Sequence, residues 1–142
     1  MLPSQTAETL LSEILAGLTA AELGDSGLAL LQPLRVDRLR APLTRVPGSE
    51  VVWLFARLRT TSPDDPAGIA ATIDANREVH DRIVAGGGLA YPINTVPMSA
   101  ADWRRHFGPR WRQLQAAKHE FDPHGILTRH RFPPPPSAPA GV

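Results

Sequence analysis

Val51-Val-Trp-Leu-Phe-Ala-Arg-Leu58 reads as a β-strand whose two faces differ. Val52, Leu54, Ala56 and Leu58 make one face apolar throughout, while on the other Val51, Trp53 and Phe55 give way to Arg57 and Arg59. A strand apolar on both sides for most of its length belongs in the middle of a sheet. The two arginines place its last residues against solvent or an anion. Upstream, Leu28 to Leu34 is a second candidate strand, with Pro33 assigning its end to an edge. Further upstream, Ala7, Leu10, Leu11, Ile14, Leu15 and Leu18 recur at intervals of three and four, the pattern of an amphipathic helix that starts near Ser4 or Thr6 and stops at Gly17. Thr19-Ala-Ala-Glu22 is a capping-box pattern for one more short helical turn, closed by Gly24.

Downstream, Asp65 and Pro66 open a long helix that carries Ile69, Ile73, Asn76, His80 and Ile83 on one side, and Gly86-Gly-Gly88 stops it. Leu89 to Ile93 is expected to form a third strand of the same sheet. The order helix, strand, strand, helix, strand, helices predicts an α+β fold: a mixed or antiparallel sheet with helices packed on one face, followed by C-terminal helices and a proline-rich tail. At 142 residues the chain can bury one ordinary core, so a single domain over residues 1–132 is expected, with 133–142 as a disordered, polyproline-like tail.

The C-terminal third holds the most specific pattern, Trp103-Arg-Arg-His-Phe-Gly-Pro-Arg-Trp111, followed by Lys118-His-Glu-Phe-Asp-Pro123 and Ile126-Leu127. Ser99 caps a helix with Asp102 as its return partner, and Gly108-Pro109 ends that helix and starts another. Trp103 and Phe107 share a face, as do Trp111, Leu114, Lys118 and Phe121, so both helices are expected to offer aromatic stripes for burial. Pro123 forces Asp122 out of the helix, and Asp122 caps the turn at His124-Gly125 before Ile126 and Leu127 anchor the chain again.

Composition narrows the function classes. The net charge is +1 with 42% hydrophobic and 20% charged residues, which disfavours a general polyanion binder. No apolar run reaches the roughly eighteen residues of a membrane span, and the start lacks the pattern of a signal peptide, so a cytoplasmic protein without a membrane partner is expected. There is no cysteine, which excludes disulfides and thiolate metal sites. His119, His124 and His130 lack the spacing and the companion carboxylate of a metal set, and no metal site is expected. Gly86-Gly-Gly88 follows a helix and precedes a candidate strand, the reverse of a phosphate cradle, and reads as a helix stop. Arg104, Arg105, Arg110 and Arg112 interleave with Trp103 and Trp111 as a nucleic-acid patch would, but buried indoles flanked by solvated arginines are the favoured reading.

The segment W-x-x-HFG-x-x-W, the lysine, the aromatic-Asp-Pro and the I/L-L ending resemble the C-terminal end of FAD-dependent oxidoreductases of the vanillyl-alcohol-oxidase type, most closely the cytokinin dehydrogenases. Leu31-Gln-Pro-Leu-Arg35, Val46-Pro, the strand Val51 to Leu58, Asn76 and Tyr91-Pro92 agree in order, so the resemblance covers about residues 18–128. It implies the substrate or cap domain of a flavoenzyme that moves a hydride from the carbon beside a secondary amine, such as a cytokinin, to flavin. Tyr91 matches a tyrosine beside the flavin, Thr128 a serine that contacts FAD, and Arg131 stands where the family has a glutamine. No catalytic residue is carried over. Thr128-Arg-His-Arg131 replaces the family's S-P-G-Q run, and nothing in the chain resembles the FAD-binding domain. The implied partner is therefore an FAD-binding domain in cis or in trans. Two rival readings remain at this point, a non-catalytic remnant or interaction domain and a small nucleic-acid-binding module.

Overall fold

A computed structural model describes residues 1–127. Its elements in chain order are β1 (Leu2–Pro3), α1 (Ser4–Ala16), α2 (Ala20–Leu23), β2 (Leu28–Arg35), β3 (Val51–Leu58), α3 (Pro66–Ala85), α4 (Ala100–Phe107) and α5 (Trp111–Phe121), with single 3-10 turns at Val36–Arg38 and Gly108–Arg110. Contacts divide the chain into two compact units, Met1–Pro97 and Met98 onward. The fold is α+β, as the sequence predicts.

In the first unit the strands form an antiparallel sheet of order β1-β3-β2. β3 pairs with β2 along its whole length, from Leu28 opposite Leu58 to Arg35 opposite Val51. On its other side it meets only β1, with Leu2 opposite Trp53 and Pro3 opposite Val52. Leu2, Ala7, Leu11, Ile14 and Ile83 form the buried core, with Leu10, Trp53, Phe55 and Val79 packed against it. Helices α1 and α3 therefore cover the Trp53 and Phe55 face of the sheet, each well-buried side chain contributing about 1.5–3 kcal/mol.

Arg57 and Arg59 extend the same face beyond the apolar residues. Arg57 Nη2 donates to Ala75 O at 3.2 Å and Arg59 Nη2 to Thr72 O at 3.0 Å, so both guanidiniums tie the end of β3 to carbonyls of α3. Arg59 also donates to Asn76 Oδ1, and Asn76 Nδ2 donates to Thr95 Oγ1 at 2.9 Å. Burial, and then the neighbouring Arg59 charge, lower the pKa of Arg57 from its ordinary value.

The third strand differs from the expectation. Leu89 to Ile93 is irregular, and the slot beside β3 is taken by the two-residue β1 instead. Leu89 bonds only to the residue before β1: its N–H donates to Met1 O at 2.9 Å and the Met1 amine donates to Leu89 O at 2.7 Å. The chain then turns away because Pro92 has no N–H to offer and Asn94 bonds locally, its amide donating to Tyr91 O while its Oδ1 accepts from Val96 N at 2.9 Å. Gly86-Gly-Gly88 is indeed a helix stop. Gly87 takes φ +81°, with Gly87 N–H donating to Val84 O and Gly88 N–H to Ile83 O, the paired bonds of a Schellman ending.

The second unit begins with the expected capping box, Ser99 accepting from Asp102 N–H and Asp102 returning to Ser99. Trp103 (3% exposed), Phe107 and Trp111 (9%) are buried, with Trp103 and Phe107 stacked at 6.0 Å. Phe121 and Leu127 depart from the expected stripe and anchor, being 72% and 75% exposed.

Replacing Trp103 or Trp111 by Ala should cost about 3–5 kcal/mol, read from urea melts; a variant that melts like the parent would show the indole to be dispensable. A Cβ on Gly88 would lie 2.8 Å from both Ile83 O and Met1 O, whereas one on Gly17 meets nothing within 4 Å. Gly88→Ala should therefore destabilise by about 1–3 kcal/mol, and Gly17→Ala should be neutral or stabilising by up to about 1 kcal/mol. Equal denaturation midpoints for the two variants would contradict the close approach at Gly88.

Candidate functional site

Antiparallel pairing puts directly opposed residues on one side of a sheet. Leu28, Leu30, Gln32 and Leu34 therefore share a face with Leu58, Ala56, Leu54 and Val52, the side opposite α1 and α3. Val52 is fully buried, but Leu30 and Leu58 are 40% and 55% exposed. The exposed apolar part of this face lies at the end where Leu28 and Leu30 meet Leu58, with Gln32 between this patch and Leu34, and an apolar patch of this kind favours being covered.

Tyr91 lies just after Leu89, the residue that joins Met1, and is 42% exposed. Its segment is tied back to α3 by Asn76 to Thr95 and by Arg77 Nη1, which donates to Pro97 O at 3.0 Å. A phenol held on a braced segment can pack its ring on a planar ligand. Thr128 and Arg131, the other cofactor candidates, lie outside the described residues, so Tyr91 is the sole one of the three whose surroundings are defined. Among the described residues nothing resembles a phosphate cradle, since the glycine run closes a helix.

The end of α5 is organised by charge. Lys118 and Asp122 form an ion pair with side chains 8% and 7% exposed. The Asp122 carboxylate also accepts from Ile126 N at 2.7 Å and Leu127 N at 3.2 Å. The bond from Lys118, reinforced by these two amides, holds the Asp122 carboxyl below its ordinary pKa. The Lys and Asp of the C-terminal pattern thus terminate a helix rather than face a substrate. Sequence reasoning missed the Arg59, Asn76 and Thr95 chain, because a hydrogen-bond relay between a strand, a helix and a loop has no periodicity. Asn76 on the inner face of α3 was the one available signal.

The family described as cytokinin dehydrogenase 1, FAD and cytokinin binding, matches residues 1–131. The chain belongs to this family. It corresponds to the C-terminal, substrate-binding part of cytokinin dehydrogenase-like proteins. It is 36% identical over 127 residues to an uncharacterised oxidoreductase, ORF5 of the fasciation locus of Rhodococcoides fascians, covering 89% of this chain and 28% of that protein. It is 30% identical to cytokinin dehydrogenase 3 of Oryza sativa subsp. japonica over 71% of this chain and 20% of the relative. Cytokinin dehydrogenase 10 of the same plant is also 30% identical, over 72% of this chain and 19% of its own length. The chain thus spans less than a third of each of these relatives. No solved structure gives a significant match.

For the cytokinin dehydrogenase-like chain, burial lowers the pKa of the Met1 amine from 8.0 to about 6. The folded state therefore binds fewer protons than the unfolded state between those values, and stability rises with pH across that window. The gain from pH 6 to pH 8 should be about 2 kcal/mol relative to the Nα-acetylated chain. Parallel urea titrations check this, and identical pH slopes for the two forms would refute it.

Proposed function

We infer that this chain is the substrate-side portion of an FAD-linked oxidoreductase of cytokinin dehydrogenase type, acting on a secondary amine and incomplete without an FAD-binding part. The observation that carries the reading is the family match across residues 1–131, with its description as FAD and cytokinin binding. The uncovered sheet face of Leu28, Leu30 and Leu58 supports it, because it gives a second part of the enzyme an apolar surface to cover.

The residues present fit one edge of a flavin and no more. Tyr91 offers an exposed phenol for the ring system, and Thr128 and Arg131 are the further proposed contacts. FAD, when bound, supplies the hydride acceptor; the protein supplies position and exclusion of water. Within the chain, the Asn76 and Arg77 ties hold the Tyr91 segment, so the ring meets a ligand without first being ordered. The base that takes the amine proton, and the cradle for the pyrophosphate, belong to the other part. The nucleic-acid reading loses its basis, because Trp103 and Trp111 are too buried for bases to stack on them. The remnant reading rests on the altered Thr128-Arg-His-Arg131 ending, which lies outside the described residues.

Purified alone, the chain should neither retain FAD nor bleach it when given an isoprenoid adenine. Co-expressed with the portion of the Rhodococcoides fascians relative outside the match, it should yield a yellow complex that oxidises the substrate. In that complex Tyr91→Ala should lower kcat/KM by at least about tenfold, roughly 1.4 kcal/mol, without shifting the melting temperature of the isolated chain. Turnover by the chain alone, or no turnover by the complex, would overturn the reading.

A further inference from the structure

The two ends of an asparagine amide are told apart when one neighbour has donors alone. Arg59 is such a neighbour: its guanidinium has no acceptor, so the group that Asn76 turns to it is the oxygen. The amide nitrogen is thereby aimed at Thr95, and Nδ2 donates to Oγ1 at 2.9 Å. Arg59 is itself held, its Nη2 donating to Thr72 O at 3.0 Å. One short side chain on α3 thus joins the residue just past β3 to the segment that follows Tyr91.

That segment also closes on itself. Asn94 Nδ2 donates to Tyr91 O, and Asn94 Oδ1 accepts from Val96 N at 2.9 Å. A single side chain ties both ends of a turn running from Tyr91 to Val96. Thr95 lies inside this turn, so the bond from Asn76 orients the closed unit, Tyr91 included. The bond from Arg77 to Pro97 O falls one residue beyond the closure. Arg77 also shares its guanidinium with Asp81, Nε donating to Oδ2 at 3.0 Å, and its longer side chain has more rotamers to lose. Of the two ties from α3, the one made by Asn76 is the one that reaches Tyr91.

We propose that Asn76, locked in orientation by Arg59, is the positioning residue for Tyr91: it acts through Thr95 and the turn closed by Asn94, and fixes where the phenol stands for a planar ligand. That this ligand is a flavin rests on the reading above; the placing of the phenol does not. Two positions separate bonding from volume. Leucine at 76 fills a similar space and makes neither bond. Aspartate keeps both, because one carboxylate oxygen accepts from Arg59 and the other from the Thr95 hydroxyl, which then donates. Valine at 95 removes the hydroxyl with little change of shape and leaves the bond between Arg59 and Asn76 in place. Thr95 is exposed, so no core is disturbed by that change.

Tyr91 is the one tyrosine of the sequence, so labelling the 142-residue protein with meta-fluorotyrosine gives a single fluorine NMR resonance that reports this phenol. Thr95→Val and Asn76→Leu should each move the resonance toward its position in urea, and Thr95→Val should do so at an unchanged melting temperature. Asn76→Asp and Arg77→Met should leave it where it is. In the pair co-expressed with the unmatched portion of the Rhodococcoides fascians relative, Thr95→Val should lower kcat/KM by about three- to tenfold, the value of one lost hydrogen bond. Once Tyr91→Ala has been made, the same change should have little further effect, because residues that act through one another are not additive. A resonance that stays in place in Thr95→Val, that moves only in step with a fall in melting temperature, or that moves as far in Arg77→Met overturns the proposal. So does an equal loss of kcat/KM from Thr95→Val with and without Tyr91. A pair that binds no flavin, with the resonance behaving as expected, counts against the enzyme reading alone and sustains the positioning role.

Discussion

The architecture of residues 1–97 depends on β3 being paired from both sides. Its long pairing with β2 fixes which side chains face the helices, and its short pairing with β1 fixes where α1 begins. A one-residue slip would turn Trp53 and Phe55 outward and bring Val52 and Leu54 under α1, exchanging a covered face for an open one. The reciprocal bonds between Met1 and Leu89 then return the end of α3 to the same sheet.

This arrangement finishes the β3 part of one face, although Leu31 of β2 stays 46% exposed there, and leaves Leu28, Leu30 and Leu58 exposed on the other. The finished face ends in Arg57 and Arg59, whose guanidiniums bond to carbonyls of α3 where a shorter or apolar side chain would leave a gap. The other face carries Leu28, Leu30 and Leu58, which are 46%, 40% and 55% exposed, on the same side as the fully buried Val52. A chain that corresponds to the substrate-binding part of a larger family member is expected to look this way. The segment that follows Tyr91 is tied to α3 by the hydrogen bonds of Asn76 and Arg77.

Most elements were legible in the sequence because their signals are local. The alternation at Val51 to Leu58, the apolar spacing of α1, Asp65-Pro66 with Gly86, and the Ser99 and Thr19 capping boxes each act within a turn or two, and β3 and α3 appear with the expected bounds. The third strand was misplaced for a non-local reason. Leu89 to Ile93 has an apolar pattern, but whether it pairs depends on Pro92 and on the side-chain bonds of Asn94, while Leu2–Pro3 pairs because the chain entering α1 passes beside β3. Two residues carry no periodicity to read. The proposed cofactor contact comes only from the resemblance: Tyr91 by itself is a half-exposed tyrosine, and the bonds that brace its segment link positions far apart in the chain.

The Lys118 and Asp122 pair also bears on the last described residues. Phe121 and Ile126 are 72% and 73% exposed, as is Leu127 at 75%, yet the backbone between them is pinned by one buried carboxylate. Helix ends that lack apolar cover usually fray. Here electrostatics does the work of packing, and the backbone that carries three large exposed side chains is held without their being covered. A surface that closes over them loses little backbone entropy in doing so, because the ordering was completed when Asp122 met Lys118.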